Sequence, residues 1–311
     1  ENVMVAAFYR LPIVMAVVNR TLGPPWNIWA DQGDSLLFRD FAWVQLYCDT
    51  SQDVADTTLL AVSLAEDPRI LLPVMVCMDG FILSHTATEV ELAEQQQVDR
   101  YLPACVVPHR IDSGHPVTTG GMTLPQETLA HRVELHEAME RVPGVFEEHR
   151  KQFTQEFGRN MKAAVTPYLV DDADTVFITS GSISTTMRQV VDKRRERGEK
   201  VGMIRVKMFR PFPVEAIREL CTGKAKIGVL DVDAFGRPIT NQLSRARTAV
   251  ASRLARSRGT GRRLRPWLLP WHQAVSAPLK RSAPKGVRSS GIGLKLPRLH
   301  PWRRASRLRS R

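Results

Sequence analysis

Apolar and polar positions along this chain fall into short continuous apolar runs separated by amphipathic stretches. Residues 11–18, from Leu11 to Val18, form an unbroken apolar run, the pattern of a strand buried on both faces. Polar loop chemistry with two tryptophans follows over residues 19–34. Residues 51–67 read as a helix, with Ser51 as its N-cap and Val54, Leu59, Val62 and Leu64 among its apolar positions. A second buried strand covers residues 71–77 and ends at Met78, Asp79, Gly80 and Phe81. Strand, helical crossover, strand is a unit of a parallel α/β sheet.

Residues 113–158 read as a connector: a stretch with Gly114, Gly120 and Gly121, then a charged helix over 125–157, expected as a solvated bridge between domains. A second α/β unit follows, with strands at 175–179, 201–208 and 226–231 and helices at 182–197 and 213–220. Gly198, Gly202 and Gly223 sit at the expected helix ends. Three strands alternating with two helices predict a small parallel sheet. The expected organisation is residues 1–112, a connector at 113–158, a second α/β unit at 159–233, and a tail at 234–311.

Charge separates the tail from the rest. The 311 residues carry a net charge of +12, but residues 234–311 hold 20 Lys and Arg with no Asp or Glu, leaving 24 basic against 32 acidic side chains before them. An acidic body therefore carries a strongly basic tail. Two readings compete: a disordered arm that neutralises phosphates on nucleic acid or anionic lipid, or GC-rich DNA translated out of frame. The second is favoured, because the last expected strand ends at the tail with nothing to complete its sheet. No apolar run approaches the roughly 18 to 20 residues of a membrane span, and residues 1–4 do not resemble a signal peptide. The chain enters an apolar stretch directly from Glu1, which reads as a fragment whose beginning is missing. Cys48, Cys77, Cys105 and Cys221 stand apart, with no CxxC and no Cys/His spacing for zinc or an iron–sulfur cluster. A reducing, cytoplasmic setting follows.

In a parallel sheet, ligands bind outside the carboxyl ends of the strands. That rule selects Asn19, Arg20 and Thr21 after the first strand, Asp79, Gly80, Ser84 and His85 after the second, and Ser180, Gly181 and Ser182 after the third. The Arg20 guanidinium can hold a carboxylate through two parallel hydrogen bonds; alternatively it ties down its own loop by pairing with Asp31 or Asp34. The stretch Asp31-Gln32-Gly33-Asp34 reads as a turn capped by an aspartate rather than a calcium loop. His85 has no Ser or Asp partner at diagnostic spacing. Residues 180–182 fit either a phosphate cradle or a plain N-cap. The chain lacks GxGxxG, a Walker loop and a zinc-protease motif.

The run from Tyr9 through Asn19-Arg20, then Asn27-Ile28-Trp29 and Asp31 to Asp34, resembles the alpha subunit of the pyruvate:ferredoxin oxidoreductases, in the 2-oxoacid:ferredoxin family. So do Leu72-Pro73-Val74-Met75-Val76 with Asp79-Gly80-Phe81 and Ser84-His85, and the stretch from Gly202 to Arg210-Pro211-Phe212-Pro213. The likeness covers residues 1–231. It implies part of a thiamine-pyrimidine-binding parallel-sheet domain followed by a small domain like the transketolase C-terminal domain. Thiamine diphosphate would be shared with a beta subunit holding the diphosphate, Mg2+ and an iron–sulfur cluster, which agrees with the lack here of the Gly-Asp-Gly and Asn stretch that anchors a diphosphate. Gamma- and delta-type subunits and ferredoxin are further implied partners, with pyruvate and coenzyme A as substrates. Arg20 becomes the contact to the substrate carboxylate, flanked by Asn19 and Thr21. Asp31 and Asp34 match an active-site Asp-x-x-Asp loop whose usual middle residues are His-Ser, where this chain has Gln32-Gly33. Asp79 and His85 fall near the cofactor. The implied reaction is oxidative decarboxylation of pyruvate to acetyl-CoA and CO2. The glutamate that activates the cofactor is expected upstream of residue 1, so this polypeptide alone is expected to be inactive. The competing reading is a non-catalytic α/β binding protein whose basic tail binds nucleic acid; it predicts salt-dependent DNA binding lost on cutting after Asp233.

Overall fold

The structure is a computed structural model and describes residues 2–23, 28–102, 104–106, 112–114, 116 and 120–232. All of these fall in one compact unit, Glu1–Leu268. The basic tail expected from residue 234, and Asn27 of the first matched stretch, lie outside the described residues.

In chain order the elements are α1 (Asn2–Phe8), β1 (Val14–Asn19), α2 (Gly33–Leu36), β2 (Val44–Tyr47), α3 (Ser51–Glu66), β3 (Val74–Asp79), α4 (Gln95–Tyr101) and α5 (Pro125–Phe157). Then come β4 (Val165–Tyr168), β5 (Thr175–Thr179), α6 (Ile183–Arg195), β6 (Val201–Val206), β7 (Met208–Arg210), α7 (Val214–Cys221) and β8 (Lys226–Val229). The strands form two sheets, ordered β1-β3-β2-β7 and β4-β6-β5-β8. Within each sheet three strands run parallel, and one edge strand is antiparallel: β7 on β2, and β4 on β6. The second sheet is therefore mixed rather than wholly parallel.

β3 lies inside the first sheet, which accounts for its unbroken apolar run. Val74 and Val76 face one core, while Met75 and Cys77 face the other. The same expectation for residues 11–18 is corrected. β1 starts only at Val14, is an edge strand among the described residues, and buries fully only Asn19. A strand with a neighbour on one side leaves its other side uncovered.

On one face of the first sheet, α3 and α5 pack over Val44, Leu46, Val74 and Val76. α5 is thus not a solvated bridge. Leu135, Ala138, Val142, Phe146, Phe153 and Phe157 recur at helical spacing and lie in that core, beneath a charged outer face. α3 is capped by Thr50, not Ser51: the Thr50 hydroxyl accepts the Asp53 N–H at 3.1 Å. The other face of the first sheet shares a core with the second, where Trp43, Met75, Cys77 and Phe209 meet Val176, Ile178, Ile204 and Val206. α6 covers the far side of the second sheet through Met187 and Val191.

The strand expected at 201–208 breaks at Lys207. Its first part is β6 in the second sheet, and its remainder is β7, which crosses to pair with β2 in the first. Gly202 lies in β6 rather than at a helix end, and glycine is needed there because a Cβ would collide with the Leu169 carbonyl. Gly198 and Gly223 do close helical turns, with φ of +79° and +78°. The four cysteines are all free, three of them buried. Among the described residues no helix is long and apolar enough to cross a membrane.

Candidate functional site

The three strand ends singled out in the sequence converge on one place. Register in the first sheet sets Asn19 of β1 beside Asp79 of β3 at their carboxyl ends. Side chains of paired residues in a parallel ladder share a face, so Asn19 and Asp79 point the same way and Arg20 and Gly80 the other. The strand end therefore presents two separate surfaces, and Asn19 and Arg20 do not act on the same one.

On the first surface, Asp79 reaches the second sheet. Its Oδ2 accepts the Ser182 N–H at 2.7 Å and the Ser182 hydroxyl at 2.5 Å, at the start of α6. A carboxylate thus already occupies the position where residues 180–182 would cradle a phosphate, favoured by the helix N-terminus. Ser182 makes no side-chain cap of its own. Gly181, at φ +75°, is required here, since a Cβ would come within 2.7 Å of Gln32 Nε2 and 2.8 Å of Asp79 Oδ2. Gln32 completes the junction. It is fully buried, its backbone N–H donates to the Val232 carbonyl at 2.8 Å, and its amide leans on the Ser180 carbonyl at 3.4 Å. The sequence marked Gln32 only as a departure from the usual middle residues of the Asp-x-x-Asp loop, not as a buried residue of this junction.

On the second surface, the Arg20 side chain lies across Gly80. A Cβ at residue 80 would come within 2.7 Å of Arg20 Cγ and 2.6 Å of the Asn19 carbonyl, so only glycine leaves the space. The loop of residues 31–34 braces this surface from beside it. Asp34 accepts the Arg20 backbone N–H at 2.8 Å, Asp31 accepts the Gly33 N–H at 2.8 Å, and the Thr21 hydroxyl reaches Asp31 at 3.5 Å. Burial pushes the Asp34 carboxyl above its usual range, against the pull of the Arg20 N–H. Among the described residues no ion pair joins Arg20 to Asp31 or Asp34. Asp34 alone holds the arginine's backbone, and the guanidinium, whose charge also draws the Asp34 carboxyl down, makes no hydrogen bond of its own among the described residues. His85 lies at the rim, exposed, hydrogen-bonded to Ser84 at 2.8 Å and stacked on Phe81, which meets Trp29 edge-on at 4.4 Å.

Buried polar atoms without partners gather at this strand end. They are both amide atoms of Asn19, Arg20 Nε, Gln32 Oε1 and Asp79 Oδ1. An unmade hydrogen bond on a covered polar group costs about 1 to 3 kcal/mol, so such a cluster calls for a bound group or ordered water.

A second polar cluster, also unmarked in the sequence, joins the two sheets elsewhere. Asp53, in the first turn of α3, accepts from Arg205 Nη2 at 2.5 Å and from Lys207 Nζ at 2.5 Å. Lys207 also donates to Thr57 at 2.6 Å, Arg205 to the Tyr47 carbonyl at 3.0 Å, and Lys162 to Asp49 at 2.5 Å. Burial by itself would raise the Asp53 carboxyl, but Lys207, Arg205 and Lys162 hold it far below the usual range.

Residues 1–151 match the family described as "Pyruvate flavodoxin/ferredoxin oxidoreductase, thiamine diP-bdg", and residues 173–260 match "Pyruvate:ferredoxin oxidoreductase core domain II". The second match crosses the charge boundary at residue 234. The chain is 43% identical over 228 residues to pyruvate synthase subunit PorA of Pyrococcus furiosus, covering 73% of this chain and 57% of that protein. It is 43% identical over 257 residues to the subunit of the same name from Thermotoga maritima, covering 81% and 65%. Ketoisovalerate oxidoreductase subunit VorA of Pyrococcus horikoshii is 38% identical over 234 residues, covering 75% and 59%. The chain spans about three-fifths of the length of these curated relatives. A solved 2-oxoglutarate:ferredoxin oxidoreductase from Magnetococcus marinus, with 2-oxoglutarate, coenzyme A and succinyl-CoA bound, shares the fold. Its TM-score is 0.56 at 19% identity, over 80% of this chain and 45% of that one.

Proposed function

The chain belongs to the pyruvate:ferredoxin oxidoreductase family, and from that premise we propose that it is the alpha-type subunit of an enzyme that oxidatively decarboxylates pyruvate. In this reading Arg20 binds the substrate carboxylate. Its guanidinium lies over Gly80 at the strand end with a covered, unpartnered Nε, and Asp34 fixes the backbone from which it projects. A planar fork held this way accepts a carboxylate through two parallel hydrogen bonds and turns the 2-oxo group in one direction. Thr21 and Asp31 stiffen the same loop. The Phe81, Trp29 and His85 rings pack on one another just beyond the end of β3.

Thiamine diphosphate, when bound, supplies the electron sink for loss of CO2. The residues present fit its polar organic end: Asn19, Gln32 and Asp79 offer unpartnered donors and acceptors at the strand end. They do not fit its diphosphate end. Among the described residues no group of three or more His, Cys, Asp or Glu is arranged to hold a metal ion. Mg2+, the diphosphate contacts and the iron–sulfur clusters are assigned to beta-, gamma- and delta-type partner subunits, with ferredoxin as acceptor and coenzyme A receiving the acyl group. Residues 1–112 would be the pyrimidine-binding part, and residues 159–233 the part like the transketolase C-terminal domain. The free cysteines fit a cytoplasmic, reducing setting.

The observation that carries this reading is the uncommitted Arg20 guanidinium in a chain whose first half matches the thiamine-dependent family. Arg20→Lys in the assembled enzyme keeps the charge and loses the fork. It is expected to lower kcat/KM for pyruvate about 10- to 100-fold while the thermal midpoint stays within a few degrees. An unchanged kcat/KM would remove Arg20 from the site.

A further inference from the structure

A cavity of about 260 Å3 opens at the opposite end of the first sheet from Arg20. Its lining includes Arg210, the last residue of β7, which pairs with Gln45 near the amino end of β2. The lining mixes apolar side chains, Phe8 of α1, Phe41, and Leu135 and Met139 of α5, with polar ones, His136 of α5 among them, whose ring lies 3.4 Å from Glu140. Two guanidiniums border it. Arg210 is half-buried, with a covered Nε that has no partner, and burial disfavours its charge while Asp40 supports it. Arg132 lies over the Phe8 ring, 5.3 Å from its centroid, and makes no ion pair among the described residues. The acid on the rim, Asp40, has a largely exposed side chain that pairs with Arg39 at 3.5 Å. Ala42, also in the lining, is held at φ +56°, a conformation that side chains other than glycine rarely adopt and that concentrates at ligand-binding positions.

Two arginine forks and His136 against one exposed carboxylate, beside the apolar side chains, make a surface for a negative charge joined to a compact hydrocarbon body. The volume falls just under the roughly 300 to 1,000 Å3 of pockets that take drug-sized ligands. We propose that this cavity binds a small organic carboxylate, its charge clasped between Arg132 and Arg210 and its apolar body against Phe8, Phe41, Leu135 and Met139. The site is separate from the substrate site, being at the other ends of the strands. It does not depend on the catalytic reading. Because Arg210 ends the strand that carries the chain from the second sheet onto the first, a bound ligand would brace that joint.

Calorimetric titration of the full chain separates the possibilities, with three probes at one pH and ionic strength: 3-phenylpropionate, the uncharged 3-phenylpropanol, and inorganic phosphate. The carboxylate is expected to bind, the alcohol at least about tenfold more weakly, and phosphate not measurably. Arg132→Gln, at an exposed helix position that leaves the fold intact by circular dichroism, is expected to weaken the carboxylate about tenfold. Arg20→Lys should leave that binding unchanged, so failure at the substrate site and failure here read differently. Equal binding of acid and alcohol, tighter binding of phosphate, no binding of the acid, or retention in Arg132→Gln would each overturn the proposal. Loss in Arg20→Lys alone would assign the binding to the substrate site instead.

Discussion

The two polar clusters that join the sheets differ in one respect that decides what each is for. Around Asp53 each charge faces an opposite one: both carboxylate oxygens are taken, Lys207 is held by two oxygens, and Arg205 binds Asp53 and lies 3.1 Å from Asp49, with only its Nε and Nη1 left without hydrogen bonds. Around Asn19 and Asp79 they do not: four covered polar atoms there, and Arg20 Nε on the neighbouring surface, lack partners. A buried network whose charges are compensated fixes how elements pack, whereas uncharged and charged groups left without partners are a standing cost that protein contacts do not offset. The first is therefore read as structure, and the second as a place where something else binds.

The largest expected effect tests the charge-compensated cluster. Asp53→Ala leaves Lys207 and Arg205 buried without their shared counter-ion. Urea unfolding of the full chain is expected to show a loss of about 3 to 5 kcal/mol. A loss under 1 kcal/mol would mean that this cluster is no more structural than the other. Next in size is Gly181→Ala, which strains a φ of +75° and presses a methyl group on Gln32 and Asp79. About 1 to 3 kcal/mol should disappear from the same measurement, and a neutral result would show the junction to be looser than the geometry describes.

A smaller effect concerns pH. The Asp67 carboxyl is held down to about 2; burial opposes this, and hydrogen bonds from Arg69 and His149 outweigh it. Its folded value lies below its unfolded one of about 3.9. The stability it contributes is therefore complete above about pH 4 and lost as pH falls toward 2. Asp67→Asn should flatten the acid limb of stability against pH in that window and leave the slope above pH 5 unchanged. An unaltered acid limb would refute the pairing.

How far all this was legible in the sequence varied by element. Residues 175–179 and 125–157 were placed to the residue, because strong β-branched content and a Pro-to-Gly frame mark them locally. β2, β4 and β7 escaped notice, since three or four residues are too few to establish a period and their strand identity depends on partners supplied by the fold. The strand-end rule found Asn19, Arg20, Asp79 and residues 180–182, but as three places. That Asp79 grips Ser182, 103 residues away, is a tertiary fact without a local signal. The loop of residues 31–34 was read as a capped turn, and Asp31 does make that turn. The buried role of Gln32 was invisible for the same reason as the Asp53 cluster: polar residues scattered along the chain acquire their meaning only when distant elements meet.

The smallest expected change in stability carries the most weight. Asn19→Leu replaces an amide with two unmade hydrogen bonds by an apolar side chain of similar size, and should be measured both for unfolding of the full chain and for pyruvate turnover in the assembled enzyme. If the amide is kept for a ligand, the variant will be as stable as the parent or up to about 1 kcal/mol more so, and kcat/KM will fall at least about tenfold. A loss of stability comparable to that of Asp53→Ala, or a stable variant with full activity, would contradict the assignment of this strand end to binding.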